Sequence, residues 1–127
     1  MYTFHKSERL CSQRLIDELY HTGHRMMVFP YSVTWKCYEK NDLPERAQVL
    51  ISTSKKKFHF AVDRNHVKRL TRECYRLHKP ELYEMLIQHD KTIIISINYI
   101  HTQILSYQQL SRKFDKLLVQ LNKELSK

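Results

Sequence analysis

The sequence predicts an α+β fold: a sheet with helices packed on it, in the order helix, two or three strands, helix, strand, helix. Three patterns predict it. Apolar residues recur at helical spacing near the start, in the middle and at the end of the chain. Between them lie stretches that alternate with a period of two, and one late stretch carries an unbroken isoleucine run. With 127 residues, 42% of them hydrophobic, the chain is expected to form one domain, residues 1–127.

Leu15, Ile16, Leu19 and Tyr20 stand at helical spacing, with Gly23 at a stopping position, so a first helix is expected over 7–22. In 30–38, Tyr31, Val33, Trp35 and Cys37 share one face and Ser32, Thr34 and Lys36 the other, as in a half-buried strand. Residues 26–29 form a short strand before it or extend it. Asn41, Asp42 and Pro44 mark a turn over 41–45, and 47–54, with Val49, Leu50 and Ile51, is a further strand. Asp63 is a candidate N-cap for a helix to about residue 78, stopped before Pro80, with a helical turn over 81–89. Residues 91–99 form a strand whose run Ile93, Ile94, Ile95 suits burial on both faces. The last helix spans 106–125, with Leu110, Phe114, Leu117, Leu118 and Leu121 as its apolar stripe.

Lys and Arg number 22 against 13 Asp and Glu, a formal charge of +9 that favours a polyanionic partner. The single glycine excludes Walker A, the dinucleotide fingerprint and the G-x-S-x-G elbow. Cys11, Cys37 and Cys74 have no C-x-x-C spacing, which excludes a disulfide framework and a four-cysteine zinc site, and reduced, mostly buried thiols are expected. No secretory h-region is visible, and the longest apolar stretch, 92–100, is far short of the roughly 20 residues of a membrane span. A cytoplasmic protein with no membrane partner is expected.

The segment 63–76 carries the strongest signal. On a wheel of about 100° per residue with Arg64 at zero, Lys68, Arg72, Arg76 and Arg69 fall between about 40° and 140°. Val67, Leu70, Cys74 and Leu77 fall opposite, at roughly 220–300°. Like charges four residues apart repel, by a few tenths of a kcal/mol each in an isolated helix. The sequence repeats that spacing three times, with Glu73 the only nearby acid. A polyanion relieves the repulsion, and Arg forks suit a sugar-phosphate backbone. A merely solvated charged face is the competing reading.

The run Arg64, Asn65, His66, Val67, Lys68, Arg69, Leu70, Thr71, Arg72, Glu73 resembles the R-N-R-x-K-R-x-x-R-E signature of the bacterial ribonuclease P protein family. Ser54, Lys55 and Lys56, then Ala61 and Val62, resemble that family's approach to the helix, and Leu105, Ser106 and Tyr107 its opening of the last helix. The likeness extends over most of the chain. It departs at His66, where the family has Arg; an imidazole lacks the permanent charge and fork of a guanidinium.

The resemblance implies an α-β-β-β-α-β-α sandwich: a four-stranded sheet packed with helices and a left-handed βαβ crossover through the basic helix. It implies an accessory subunit, one protein per RNA, of an endoribonuclease whose catalyst is RNA. That ribonucleoprotein hydrolyses a phosphodiester of precursor tRNA, maturing its 5′ end with Mg²⁺ held by the RNA subunit. This chain would then have no catalytic residue, no metal ligand and no cofactor of its own. Lys55, Lys56, Arg64, Asn65, His66, Lys68, Arg69, Arg72 and Arg76 would contact RNA. Ile16 and Tyr20 match positions that line the cleft for the single-stranded 5′ leader, with core packing as the alternative.

The residues themselves agree. The acids show no D-x-D and no H-E-x-x-H, as a self-sufficient metal nuclease would need. His21 with His24, and Cys74 with His78, supply two ligands each where zinc wants three or four. Either face of the strand over 30–38 could meet RNA, and Phe58 or Phe60 is expected as an anchor beneath the lysine loop. Lys113, Lys116, Lys123 and Lys127 are expected to be solvated. The rival reading is a generic basic RNA-binding or ribosome-associated protein.

Overall fold

The computed structural model describes residues 4–39, 43 and 45–127. Among them the order is a 3-10 turn at Lys6–Glu8, α1 (Gln13–Thr22), β1 (His24–Val28), β2 (Tyr31–Glu39), β3 (Ala47–Thr53), α2 (Ala61–His89), β4 (Lys91–Tyr99) and α3 (Tyr107–Leu125). The sheet runs β1-β2-β4-β3. β2 pairs antiparallel with both β1 and β4, while β3 and β4 are parallel neighbours joined through α2. This is the expected α+β order, with 26–28 falling in the separate strand β1 and Phe29 in the turn after it. The expected turn over 41–45 falls mostly outside the described residues.

The register divides the sheet into two unlike faces. His24, Trp35, Ile95 and Val49 align on one face, which belongs to the main core with Tyr31, Val33, Ile93, Ile97 and Tyr99. α2 and α3 cover that face with Val67, Cys74, Tyr75, Leu82, Leu86, Leu110, Phe114, Leu117 and Leu121. On the other face Ile94 and Leu50 meet Leu10, Leu15 and Leu19 in a smaller core beneath α1. β4 is thus covered on both faces along its isoleucines, which is why its apolar run is unbroken.

Caps hold the short helices where the sequence places them. The Ser12 hydroxyl accepts the Leu15 N–H at 3.4 Å, and Ser106 and Gln109 make a capping box on α3. Gly23 ends α1 with an ordinary negative φ. Its need for glycine is spatial: a Cβ there would lie 2.3 Å from the Leu19 carbonyl oxygen and 3.1 Å from Thr34 Cγ2. The missing side chain lets the end of α1 sit directly on β2.

Four expectations are corrected. The first helix does not begin at 7, because Arg9 bridges to Val49 and the Leu10 N–H donates to the Val49 carbonyl at 2.9 Å. That pairing draws the chain along the outer edge of β3 and delays the helix to Gln13. The middle helix is capped by Phe60, with Asp63 inside its first turn, where an acid still suits the helix dipole. Pro80 does not stop it; α2 runs on to His89. Cys11 is exposed, Cys37 half-buried and Cys74 buried, all as free thiols, so the cysteines are not mostly buried.

Candidate nucleic-acid interface

The wheel keeps the cations of α2 in one row, but they border the core instead of lying opposite it, and the buried stripe is one step off. The residues that turn inward are Val67, Thr71, Cys74, Tyr75, His78 and Leu82, whereas Leu77 is exposed and Leu70 only half-buried. Two polar side chains shift the stripe because their hydrogen bonds are met inside. The Thr71 hydroxyl donates to the Val67 carbonyl and meets the Tyr31 hydroxyl at 2.9 Å. His78 is held by the Cys74 carbonyl at 2.7 Å and by Asp115 at 2.8 Å, so both ring nitrogens are engaged. Burial pushes the Cys74 thiol up to about 12, so it stays protonated at neutral pH.

Arg64, Lys68, Arg72 and Arg76 follow one another along the half-buried flank of α2, with Asn65, His66 and Arg69 fully outward beside them. Lys55, Lys56 and Lys57 are exposed on the loop that leads into the helix. Lys55, Lys56, Lys57, Lys68, Arg69 and Arg72 have no ion-pair partner among the described residues. Two members of the set are already engaged. Arg76 forks onto Glu73 at 2.8 Å, and that guanidinium lowers the carboxyl's pKa. Arg64 Nη1 donates to the carbonyls of Phe58 at 2.8 Å and His59 at 2.9 Å. Phe58 is the anchor under the loop; Phe60 is not, being 74% exposed.

The sheet face that α1 leaves open is lined with hydroxyls and an amide. Register aligns Arg25, Thr34 and Ser96 in one row and Met27, Ser32, Asn98 and Ser52 in the next. Tyr20, Arg25, Ser32, Thr34, Ser96 and Asn98 line a cavity of about 170 Å³ there. Tyr20 is 43% exposed, and its hydroxyl shares a 2.6 Å hydrogen bond with Ser96, which fixes the ring above the sheet. Ile16, one turn earlier, packs against the smaller core. On β2, Tyr31 and Trp35 lie under the helices, while on the other face Ser32 is half-buried and Thr34, 6% exposed, lines this cavity. Lys36 on that face is tethered to Thr22 at 2.9 Å and Glu18 at 3.5 Å. Arg25, on β1, was not singled out from the sequence; only the strand register brings it to the rim.

The cleft and the start of the cationic helix lie toward the same end of the sheet, on opposite faces. Ser52, Asn98 and Ser32 lie at the end where β3 leaves the sheet at Thr53, and the lysine loop and first turn of α2 follow at once. A crossover helix with cations along one flank, packed on one face of a mixed four-stranded sheet, and a polar cleft on the other face define the class: a small basic α+β protein.

The sequence model of the Ribonuclease P family matches residues 4–122, and the chain belongs to that family. It is 30% identical over 116 residues to the ribonuclease P protein component of Porphyromonas gingivalis W83, covering 91% of this chain and 84% of that one. The fold is shared with a Staphylococcus aureus RNase P protein mutant with defective mRNA degradation activity (TM-score 0.68, 22% identity, 93% of this chain and 90% of that one). It is shared equally with the RNase P protein of Thermotoga maritima (TM-score 0.66, 21% identity, 87% and 94%). Membership gives a role in tRNA 5′ processing, as the protein part of an endoribonuclease that includes the RNase P RNA. No helix among the described residues is long and apolar enough to cross a membrane.

Proposed function

We propose that this chain binds the RNase P RNA through the flank of α2 and the lysine loop, and cradles the 5′ leader of precursor tRNA in the cleft beneath Tyr20. Lys55, Lys56, Lys68, Arg69 and Arg72 take backbone phosphates, with Asn65 and His66 as hydrogen-bonding neighbours and Arg76 shared with Glu73. Tyr20 offers a ring for stacking and Ser32, Thr34 and Asn98 offer hydrogen bonds to an unpaired strand. Ile16 supports the helix that carries Tyr20. One protein serves each RNA, and hydrolysis, with its Mg²⁺, belongs to the RNA.

The observation that carries this reading is the placement of cleft, lysine loop and start of the cationic helix toward the same end of the sheet. The state of the carboxylates supports the division of labour. Glu8, Glu18, Glu39, Glu73 and Asp115 are each paired with a cation or histidine at separate places. The test is reconstitution: purified protein is added to the RNase P RNA of the same cell at low Mg²⁺, and release of the 5′ leader is followed. Stimulated cleavage is expected, together with silence of the protein alone. Folded protein that leaves the RNA's rate unchanged overturns the reading, and cleavage by protein alone overturns the assignment of the chemistry to RNA.

A further inference from the structure

The segment between β3 and α2 is pinned at several points. The Ser54 carbonyl accepts the N–H groups of Lys57 at 3.2 Å and Phe58 at 3.1 Å, and the Ser54 hydroxyl accepts that of Lys56 at 3.0 Å. Phe58 is buried, its ring 6.0 Å from that of Tyr99. Arg64 reaches back from the first helical turn to clamp the carbonyls of Phe58 and His59. The next residue, Phe60, is nevertheless turned out to solvent, 74% exposed, and Val62 beside it is 76% exposed. Single exposed apolar residues are ordinary on protein surfaces. Two so close together, at the end of a pinned loop and between Lys55, Lys56, Lys57 and the cations of α2, are a different matter.

We propose that Phe60 is a stacking residue for an unpaired base of the RNA bound by this surface, and that Arg64 is the positioning residue that holds it out. The proposal rests on the RNA-binding reading above and deepens it. The surrounding charge selects the occupant: cations on both sides bring a phosphate backbone across the loop, and a neutral ring among them meets what lies between phosphates, a base face. It also gives Arg64 a task other than phosphate contact. Nη1 of the guanidinium that opens the signature is committed to two backbone carbonyls, so this group also acts on RNA through the loop.

Stacking carries no counterion release, so its loss and the loss of a phosphate contact are separable. The probe is the RNase P RNA of the same cell, with affinity measured across a salt series for wild type, Phe60→Ala, Phe60→Trp and Arg64→Ala. Phe60→Ala is expected to weaken binding about five- to hundred-fold with the salt slope unchanged, and Phe60→Trp to restore it. Adding Phe60→Ala to Arg64→Ala is expected to cost less than it costs alone, because the ring is no longer held. Thermal unfolding checks that each variant is folded; Phe60 is exposed, so its variants carry the decision if Arg64→Ala does not fold. An unchanged affinity in Phe60→Ala, with wild type bound tightly, overturns this proposal alone. Wild type that does not bind the RNA overturns both readings. A concentration-dependent dimer lost in Phe60→Ala and in Val62→Ala, with RNA affinity intact, would assign the pair to self-association and also overturns it.

Discussion

Glu8 is 1% exposed and forms an ion pair with Lys79, itself nearly buried on α2. Its carboxylate also accepts the His5 N–H at 2.6 Å and the Tyr83 hydroxyl at 3.2 Å. Burial opposes its ionisation, but the bonds from Lys79 and His5 and the Lys79 charge outweigh that, and the carboxyl titrates below its ordinary 4.5. The stability tied to this lowered value is therefore complete above pH 4.5 and is lost as pH falls through the folded value. Glu8→Gln keeps the shape but removes the carboxylate charge that faces the Lys79 ammonium. It is expected to cost about 3 kcal/mol at neutral pH and to flatten the loss of stability on acidification. Denaturant titrations at pH 7 and below pH 4 measure both, and an acid dependence identical to wild type would refute the assignment. None of this was legible in the sequence, where Glu8 and Lys79 are ordinary charged residues far apart. The Tyr20–Ser96 bond and the Arg64 clamp were hidden for the same reason: each joins residues whose meeting depends on the fold.

At the scale of elements, legibility followed regularity. α3 and β4 match their patterns because each buries its apolar pattern, the five-residue stripe of α3 on one side and the isoleucines of β4 on both. α2 departs from its pattern where tertiary contacts overrule local preference. Pro80 lacks the N–H that would bond the Arg76 carbonyl, a defect worth about 3 kcal/mol in a helix interior. The helix continues because the turns beyond it bury Leu82, Met85 and Leu86, and because Lys79 is fastened to Glu8. Pro80→Ala restores the missing donor and is expected to raise stability by about 1–3 kcal/mol, with an unchanged denaturant slope. A neutral or destabilising result would mean that the proline shapes a bend on which the α2–α3 contact depends. The buried stripe of α2 was misread because Thr71 and His78 count as polar in any hydropathy scale. Inside the protein they are satisfied by carbonyls, a hydroxyl and Asp115.

For the molecule as a whole, the net charge of +9 says that a polyanion is favoured but not where it sits. The fold decides that by neutralising some cations and leaving others. Arg14 and Lys36 are paired with Glu18, Lys91 with Glu39 and Lys127 with Glu124. The unpaired group at Lys55, Lys56, Lys57, Lys68, Arg69 and Arg72 is continuous from the loop along α2, while Lys116 and Lys123 are exposed on α3. If the first group carries RNA, Lys68→Ala, Arg69→Ala and Arg72→Ala should each weaken binding. Each should also reduce the slope of log affinity against log salt by about 0.7–0.9, one phosphate contact apiece. Arg76→Ala should reduce it by less, because Glu73 already shares that charge. Lys116→Ala and Lys123→Ala, with the same formal charge change, should leave the slope alone. A uniform small decrease across all six variants would mean that the RNA responds only to net charge. The layout along α2 would then have no part in binding, and equilibrium titrations between low and physiological salt distinguish the two outcomes directly.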